Sequence, residues 1–117
     1  MSVRPQGGGM SEITVLVSAR AKPGRGAELL DMYGELAAAT HGEEGCLAFT
    51  LHRGLEDHDV IALVERWTSK EALDQHLQSS HVTAFRRDAA ELADGPSTIT
   101  IAQPVPAGDP AKGLLSG

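Results

Sequence analysis

The sequence predicts an α+β fold of order β-α-β-β-α-β, with a four-stranded antiparallel sheet carrying its helices on one face. Runs rich in β-branched residues, alternating or continuously apolar, recur at residues 13–21, 46–53, 60–67 and 97–103. Stretches with apolar residues at helical spacing separate the first run from the second and the third from the fourth. Between the second and third lies only the polar segment Gly54 to Asp59, so those two strands are antiparallel neighbours joined by a hairpin. That succession is the ferredoxin-like split βαβ arrangement.

Each element has its own signal. The leader MSVRPQGGGMS, residues 1–11, combines Pro with three consecutive Gly and reads as disordered, with Met10 an alternative start. The first strand, Ile13 to Ala21, puts Ile13, Val15, Val17 and Ala19 on one face. Lys22-Pro23-Gly24-Arg25-Gly26 stops it, and its glycines lack the spacing of a phosphate loop. A helix from about Ala27 to Thr40 has Leu29, Leu30, Tyr33, Leu36, Ala37 and Thr40 as its apolar stripe. The second strand, Cys46 to Arg53, alternates Leu47, Phe49 and Leu51 against Cys46, Ala48, Thr50 and His52.

The third strand begins at Val60, with Ile61, Leu63, Glu65 and Trp67 on one face and Val60, Ala62, Val64 and Arg66 on the other. Both faces start apolar, as in a central strand covered on both sides. Thr68-Ser69-Lys70-Glu71 has capping-box spacing, with Thr68 as the cap. Leu73, His76 and Leu77 then share one side of a helix. A further helical segment, Val82 to Leu92, carries Val82, Phe85, Ala89 and Leu92, and Gly95-Pro96 breaks it. Ser97 to Gln103 is the last strand, setting Ile99 and Ile101 against Thr98 and Thr100. The folded domain thus spans residues 12–103. Residues 104–117, PVPAGDPAKGLLSG, read as a flexible tail whose Leu114 and Leu115 are candidates for docking.

Composition narrows the function classes. A chain of 117 residues fits one domain with a modest core. A net charge of −6 argues against nucleic acid or an anionic membrane as the main partner. No apolar run approaches the length of a membrane span. The single Cys46 and the lack of an apolar signal core point to a reducing compartment, the cytoplasm. With helices on one face, the other face of the sheet, carrying either Val60, Ala62 and Val64 or Ile61 and Leu63, is bare and apolar, and a homodimer packing two sheets together is the simplest cover.

The succession Glu44-Gly45-Cys46-Leu47-x-Phe49, then Glu65-Arg66-Trp67-x-Ser69-x-Glu71-Ala72-Leu73-x-x-His76-x-x-x-Ser80-His81 and Phe85, resembles the antibiotic biosynthesis monooxygenase family. The resemblance runs from Ile13 to about Gln103; Glu44 departs from it, standing where the family often has Pro. It implies a dimeric α+β barrel with a pocket between the sheet and the helices of each subunit. It also implies a cofactor-independent monooxygenase that oxidises quinol-like or polycyclic aromatic hydroxy compounds with O2, without metal, flavin or haem. An electron-rich phenolate can pass one electron to O2 if the protein deprotonates it and excludes water.

On that resemblance His76 is the candidate base and Trp67 a pocket wall, the two forming the catalytic pair. Tyr33, Leu63, Glu65 and Phe85 are the candidate substrate-binding residues. Each also has a purely structural reading: His76 as a core-edge histidine bonded to backbone, and Trp67, Tyr33 and Phe85 as plain core. Glu65 either hydrogen-bonds His76 or pairs with Arg66 of a partner strand. His41, His52, His58 and His81 are assigned to surface or turns. A metal site is not expected, since His76 and His81, five apart on one helix, would point about 140° from each other. Cys46 reads as a small buried hydrophobe. The first strand has no Asn, unlike haem-degrading relatives, which argues against haem as substrate. Two other readings remain on the same fold: a binding protein without chemistry, and a non-redox isomerase or cyclase.

Overall fold

A computed structural model describes residues 12–115; the leader, residues 1–11, lies outside the described residues. The elements are β1 (Ile13–Arg20), α1 (Gly26–Thr40), β2 (Cys46–Arg53), β3 (Val60–Trp67), α2 (Lys70–Leu77), α3 (Ser80–Ala89) and β4 (Thr98–Ala102). The sheet order is β2-β3-β1-β4 with every pairing antiparallel, which is the ferredoxin-like topology. No helix among the described residues is long and apolar enough to cross a membrane.

The period-2 pattern of β3 decides which face is covered. Ile61, Leu63, Glu65 and Trp67 are all buried beneath the helices, while Val60, Ala62, Val64 and Arg66 are half-buried on the open face. Cross-strand pairing extends the inner face: Val15 lies opposite Glu65, Val17 opposite Leu63, and Phe49 opposite Glu65 from the other side. Leu29, Tyr33, Leu36 and Ala37 of α1 pack on it, as do Leu73 of α2 and Val82 and Ala89 of α3. The core is therefore a single layer between one sheet face and three helices.

Two local expectations are corrected and two are refined. A β-bulge between Cys46 and Ala48 sets Cys46 opposite Trp67 on the core side and turns Leu47 outward, 41% exposed. The cap of α2 is Ser69, whose Oγ accepts from Ala72 N at 3.1 Å. Thr68 N instead donates to Gly45 O at 2.9 Å, so Thr68 is still held to the neighbouring loop and the helix begins one residue later. Ile99 and Ile101 share the inner face with Val17 and Val15, yet remain half exposed at the β4 edge. Finally, helix stops after Leu77 and restarts at Ser80. Residues 103–115 form neither helix nor strand, and Val105, Leu114 and Leu115 are exposed.

Candidate active site

The site grows from two places where the chain changes direction. The α1–β2 connection, His41 to Gly45, folds back so that Glu43 N donates to Thr40 O (2.9 Å) and Cys46 N to Glu43 O (3.1 Å). Gly45 has no room for a side chain, because a Cβ there would stand 2.4 Å from the Ala72 Cβ. This close approach presses the loop against the start of α2 and projects Glu43 over the end of that helix. The second place is Ser79. Its Oγ donates to His76 O at 2.6 Å and accepts from Val82 N at 3.3 Å, ending α2 and starting α3.

These two features bring three side chains to one carboxylate oxygen. Glu43 Oε2 lies 2.6 Å from His76 Nδ1 and 2.8 Å from His81 Nε2. A carboxylate accepts only, so each imidazole donates its N–H there, leaving His76 Nε2 and His81 Nδ1 with free lone pairs. Burial pushes the His76 pKa down, against the upward pull of the Glu43 hydrogen bond, and keeps the ring neutral at pH 7. Glu43 and His81 side chains are 19% and 27% exposed, whereas that of His76 is only 5% exposed. His81 is thus the outward member of the cluster and not a plain surface residue.

Trp67 and His76 meet in direct ring contact, with centroids 4.5 Å apart, and Phe49 lies 5.9 Å from His76 on another side. The expectation of an open pocket between sheet and helices is corrected here. Trp67 is fully buried and His76 is 4% exposed, so their own side chains fill that space. Glu65 does not bond His76. It accepts from Trp67 Nε1 at 3.0 Å, and Arg66 pairs with Glu12 at 2.8 Å on the open face. Desolvation raises the Glu65 carboxyl pKa above its usual range, opposed by the Trp67 bond. Leu63 is core, 3% exposed. Tyr33 is buried and packs at a tilt against Phe85, ring centroids 4.6 Å apart; burial, then the Glu65 charge, raises its phenol pKa. Burial likewise raises the Cys46 thiol, which suits a small packed side chain.

Open space lies on either side of the cluster. A groove of about 440 Å³ runs past Glu43, Glu44, Glu71 and Gln75 and is acidic. A smaller one, about 180 Å³, is lined by Met32, Leu36 and Phe85 with His81, Glu35 and Asp88. The predicted residues therefore divide: Trp67, Glu65 and His76 come together, Phe85 lines the smaller groove, and Leu63 and Tyr33 support from the core. Glu43 and His81 were missed. The Ser79-Ser80 pair, a helix-start signal ahead of Val82, is the trace in the sequence that separates His81 from the helix of His76. It also removes the 140° argument, since the two imidazoles sit on different helices.

A two-layer α+β domain, one sheet covered by helices, with an aromatic and imidazole cluster beneath those helices is the class this fold and site define. The chain belongs to the antibiotic biosynthesis monooxygenase family, which it matches over residues 12–88. It is 26% identical to the Mycobacterium tuberculosis protein named "Putative monooxygenase Rv0793", over 81% of this chain and 93% of that one. The solved structure of Rv0793 superposes with a TM-score of 0.77 at 25% identity, covering 85% of this chain and all of that one (100%). PA3566 from Pseudomonas aeruginosa gives 0.78 at 25% identity, covering 85% and 99%. A conserved protein from Methanosarcina mazei gives 0.75 at 27% identity, covering 81% and 94%.

Proposed function

We propose that the protein is a cofactor-independent monooxygenase that oxidises a quinol-like or polycyclic aromatic hydroxy compound with O2, acting as a homodimer. The observation that carries this reading is the Glu43 carboxylate shared by two imidazoles, one of them lining the smaller groove beside Met32, Leu36 and Phe85. A hydroxy-aromatic seated against Met32, Leu36 and Phe85 presents its O–H to His81 Nδ1. The imidazole takes the proton, and Glu43 stabilises the imidazolium, as a carboxylate orients a general base. His76 donates to the same oxygen and fixes its direction, and Trp67 holds His76 by stacking. In this arrangement Leu63, Glu65 and Tyr33 shape the wall behind the groove and do not touch substrate.

The remaining chemistry belongs to substrate and oxygen. The deprotonated substrate gives one electron to O2, the radical pair combines to a peroxide anion, and the proton returns to it. Loss of water from an oxidised CH2 centre then leaves a carbonyl, so one oxygen atom enters the product and the other leaves as water. Family membership supports this reading, as does the monooxygenase in the name of the M. tuberculosis relative.

Oxygen uptake with a panel of quinols and anthrones, in chelator-treated buffer, tests the proposal. At least one compound should drive uptake. His81→Ala and Glu43→Gln should each lower the rate by about 100-fold or more, the usual worth of a general base. Tight binding of several compounds without oxygen consumption would make the protein a binding module. Anaerobic conversion of a compound would make it an isomerase or cyclase.

A further inference from the structure

Three potential metal ligands converge at the cluster: Glu43 Oε2, His76 Nδ1 and His81 Nε2, all within 4.8 Å of one another. Two imidazole nitrogens with one carboxylate form the donor set of open zinc sites and of facial-triad metal sites. Each comes from a different segment: the α1–β2 connection, the end of α2 and the start of α3. All three are tied down, His76 by ring contacts, Glu43 by its tight loop and His81 by the Ser79 cap. Preorganised donors on separate rigid segments hold a metal far better than side chains on one mobile loop.

The distances fit an ion replaced by protons. With bonds of about 2.0–2.2 Å, tetrahedral ligands stand roughly 3.3 Å apart. Each nitrogen is now 2.6 or 2.8 Å from Oε2 because an N–H bridges the gap. Metal entry needs each nitrogen to part from Oε2 by well under about 1 Å and the two nitrogens, within 4.8 Å of one another, to settle at that same spacing, together with a tautomer change in each ring. The proton on His76 Nδ1 moves to Nε2, and that on His81 Nε2 moves to Nδ1. The lone pairs then face the ion. Approach is from the His81 side, the more exposed one. The two flanking grooves carry Glu44 and Glu71, and Glu35 and Asp88, which raise the local cation concentration, against the opposing charge of Arg86 near His76.

We propose that Glu43, His76 and His81 bind one divalent transition-metal ion of zinc type per chain, with water filling the position that opens toward the smaller groove. Occupancy removes the lone pair on His81 Nδ1, where the moved proton now sits, so the bound metal is an inhibitor of the oxygenation. The binding half stands alone; the inhibition half rests on the function proposed above.

Titration of the metal-free, untagged full chain with Zn2+ by calorimetry, and with Co2+ by its visible absorption, tests the site. One ion per chain should bind, and Co2+ should give a tetrahedral or five-coordinate band. His81→Ala and Glu43→Gln should each weaken binding by about 100-fold or more, at least the loss seen for supporting residues of metal sites. His52→Ala, at an exposed histidine bonded to Thr50, should leave it unchanged. The absence of saturable binding overturns the proposal, as does affinity indifferent to both Glu43→Gln and His81→Ala. Glu43→Gln keeps the side chain's shape, so it reads the site even if His81→Ala fails to fold. In oxygen-uptake assays, zinc should lower the rate with the same midpoint as binding, and chelator should restore it. An increase would overturn the inhibitory half. Binding without any oxygen uptake by the metal-free chain would overturn the oxygenase reading and leave the site standing.

Discussion

Glu65 sits 5% exposed with Trp67 Nε1–H donating to it. Burial disfavours its anion, so the folded state takes up a proton above pH 4.5, the ordinary value for this group. Below that pH both states are protonated and nothing opposes folding. Above the raised folded value, the buried charge works against stability. Glu65→Gln keeps an acceptor for Trp67 and removes the charge. Its melting temperature should exceed the wild type's at pH 7 and match it near pH 4; an equal gain at both would show that charge is not the cause. The sign is opposite at His76, whose folded pKa is lowered below 6.5: stability falls as pH drops from 6.5 toward that lower value. At this scale the cluster was half legible. Trp67, Glu65 and His76 could be read because a strand face and a helix stripe both aim inward. Glu43 could not, because a loop between two turns has no period, and Glu44 beside it looks the same.

Among the elements, the contact between the α1–β2 loop and α2 governs the site. A Cβ on Gly45 would overlap Ala72, and relieving it means shifting the loop or the helix. Gly45→Ala should therefore cost about 1–3 kcal/mol, the range for overpacking, measured by urea unfolding. It should also separate Glu43 from His76, which a change in the His76 imidazole NMR titration would reveal. A variant as stable as wild type would refute the close approach. Strand and helix types were legible here because their periods are strong. The bulge at Cys46 and the cap at Ser69 were not: Thr68 and Ser69 are both good caps, and the choice falls to a backbone bond from Thr68 to Gly45. The bulge, too, is decided by pairing with β3, which local alternation cannot report.

For the whole molecule, the open sheet face is the surface on which the proposed homodimer would form. Leu16 is 45% exposed there, beside Val64 on β3 and Thr100 on β4, with half-buried Val60 and Ala62 nearby. A face of this kind favours burial against a second copy. Light scattering at micromolar concentration should give a dimer, and Leu16→Glu should shift it to monomer while circular dichroism stays unchanged. A wild-type monomer would leave the face without that role. The β3 pattern left open which of its two faces is covered, since both begin apolar. The ferredoxin-like topology was legible from the order of elements. The half exposure of Ile99 and Ile101 was not, because strand alternation gives direction but not how far helices reach across a sheet.

Ser79 has a consequence beyond capping. It is the only residue between Gln78, where α2 closes, and Ser80, where α3 opens. The strands form a fixed frame, and this position works as a swivel mounted on it. Inserting one residue at this extended position would leave every strand register in place and shift the start of α3 relative to α2. His81 would then leave Glu43 while Trp67 and His76 stayed put. Variation confined to this joint can therefore retune the mouth of the site without reopening the question of whether the chain folds.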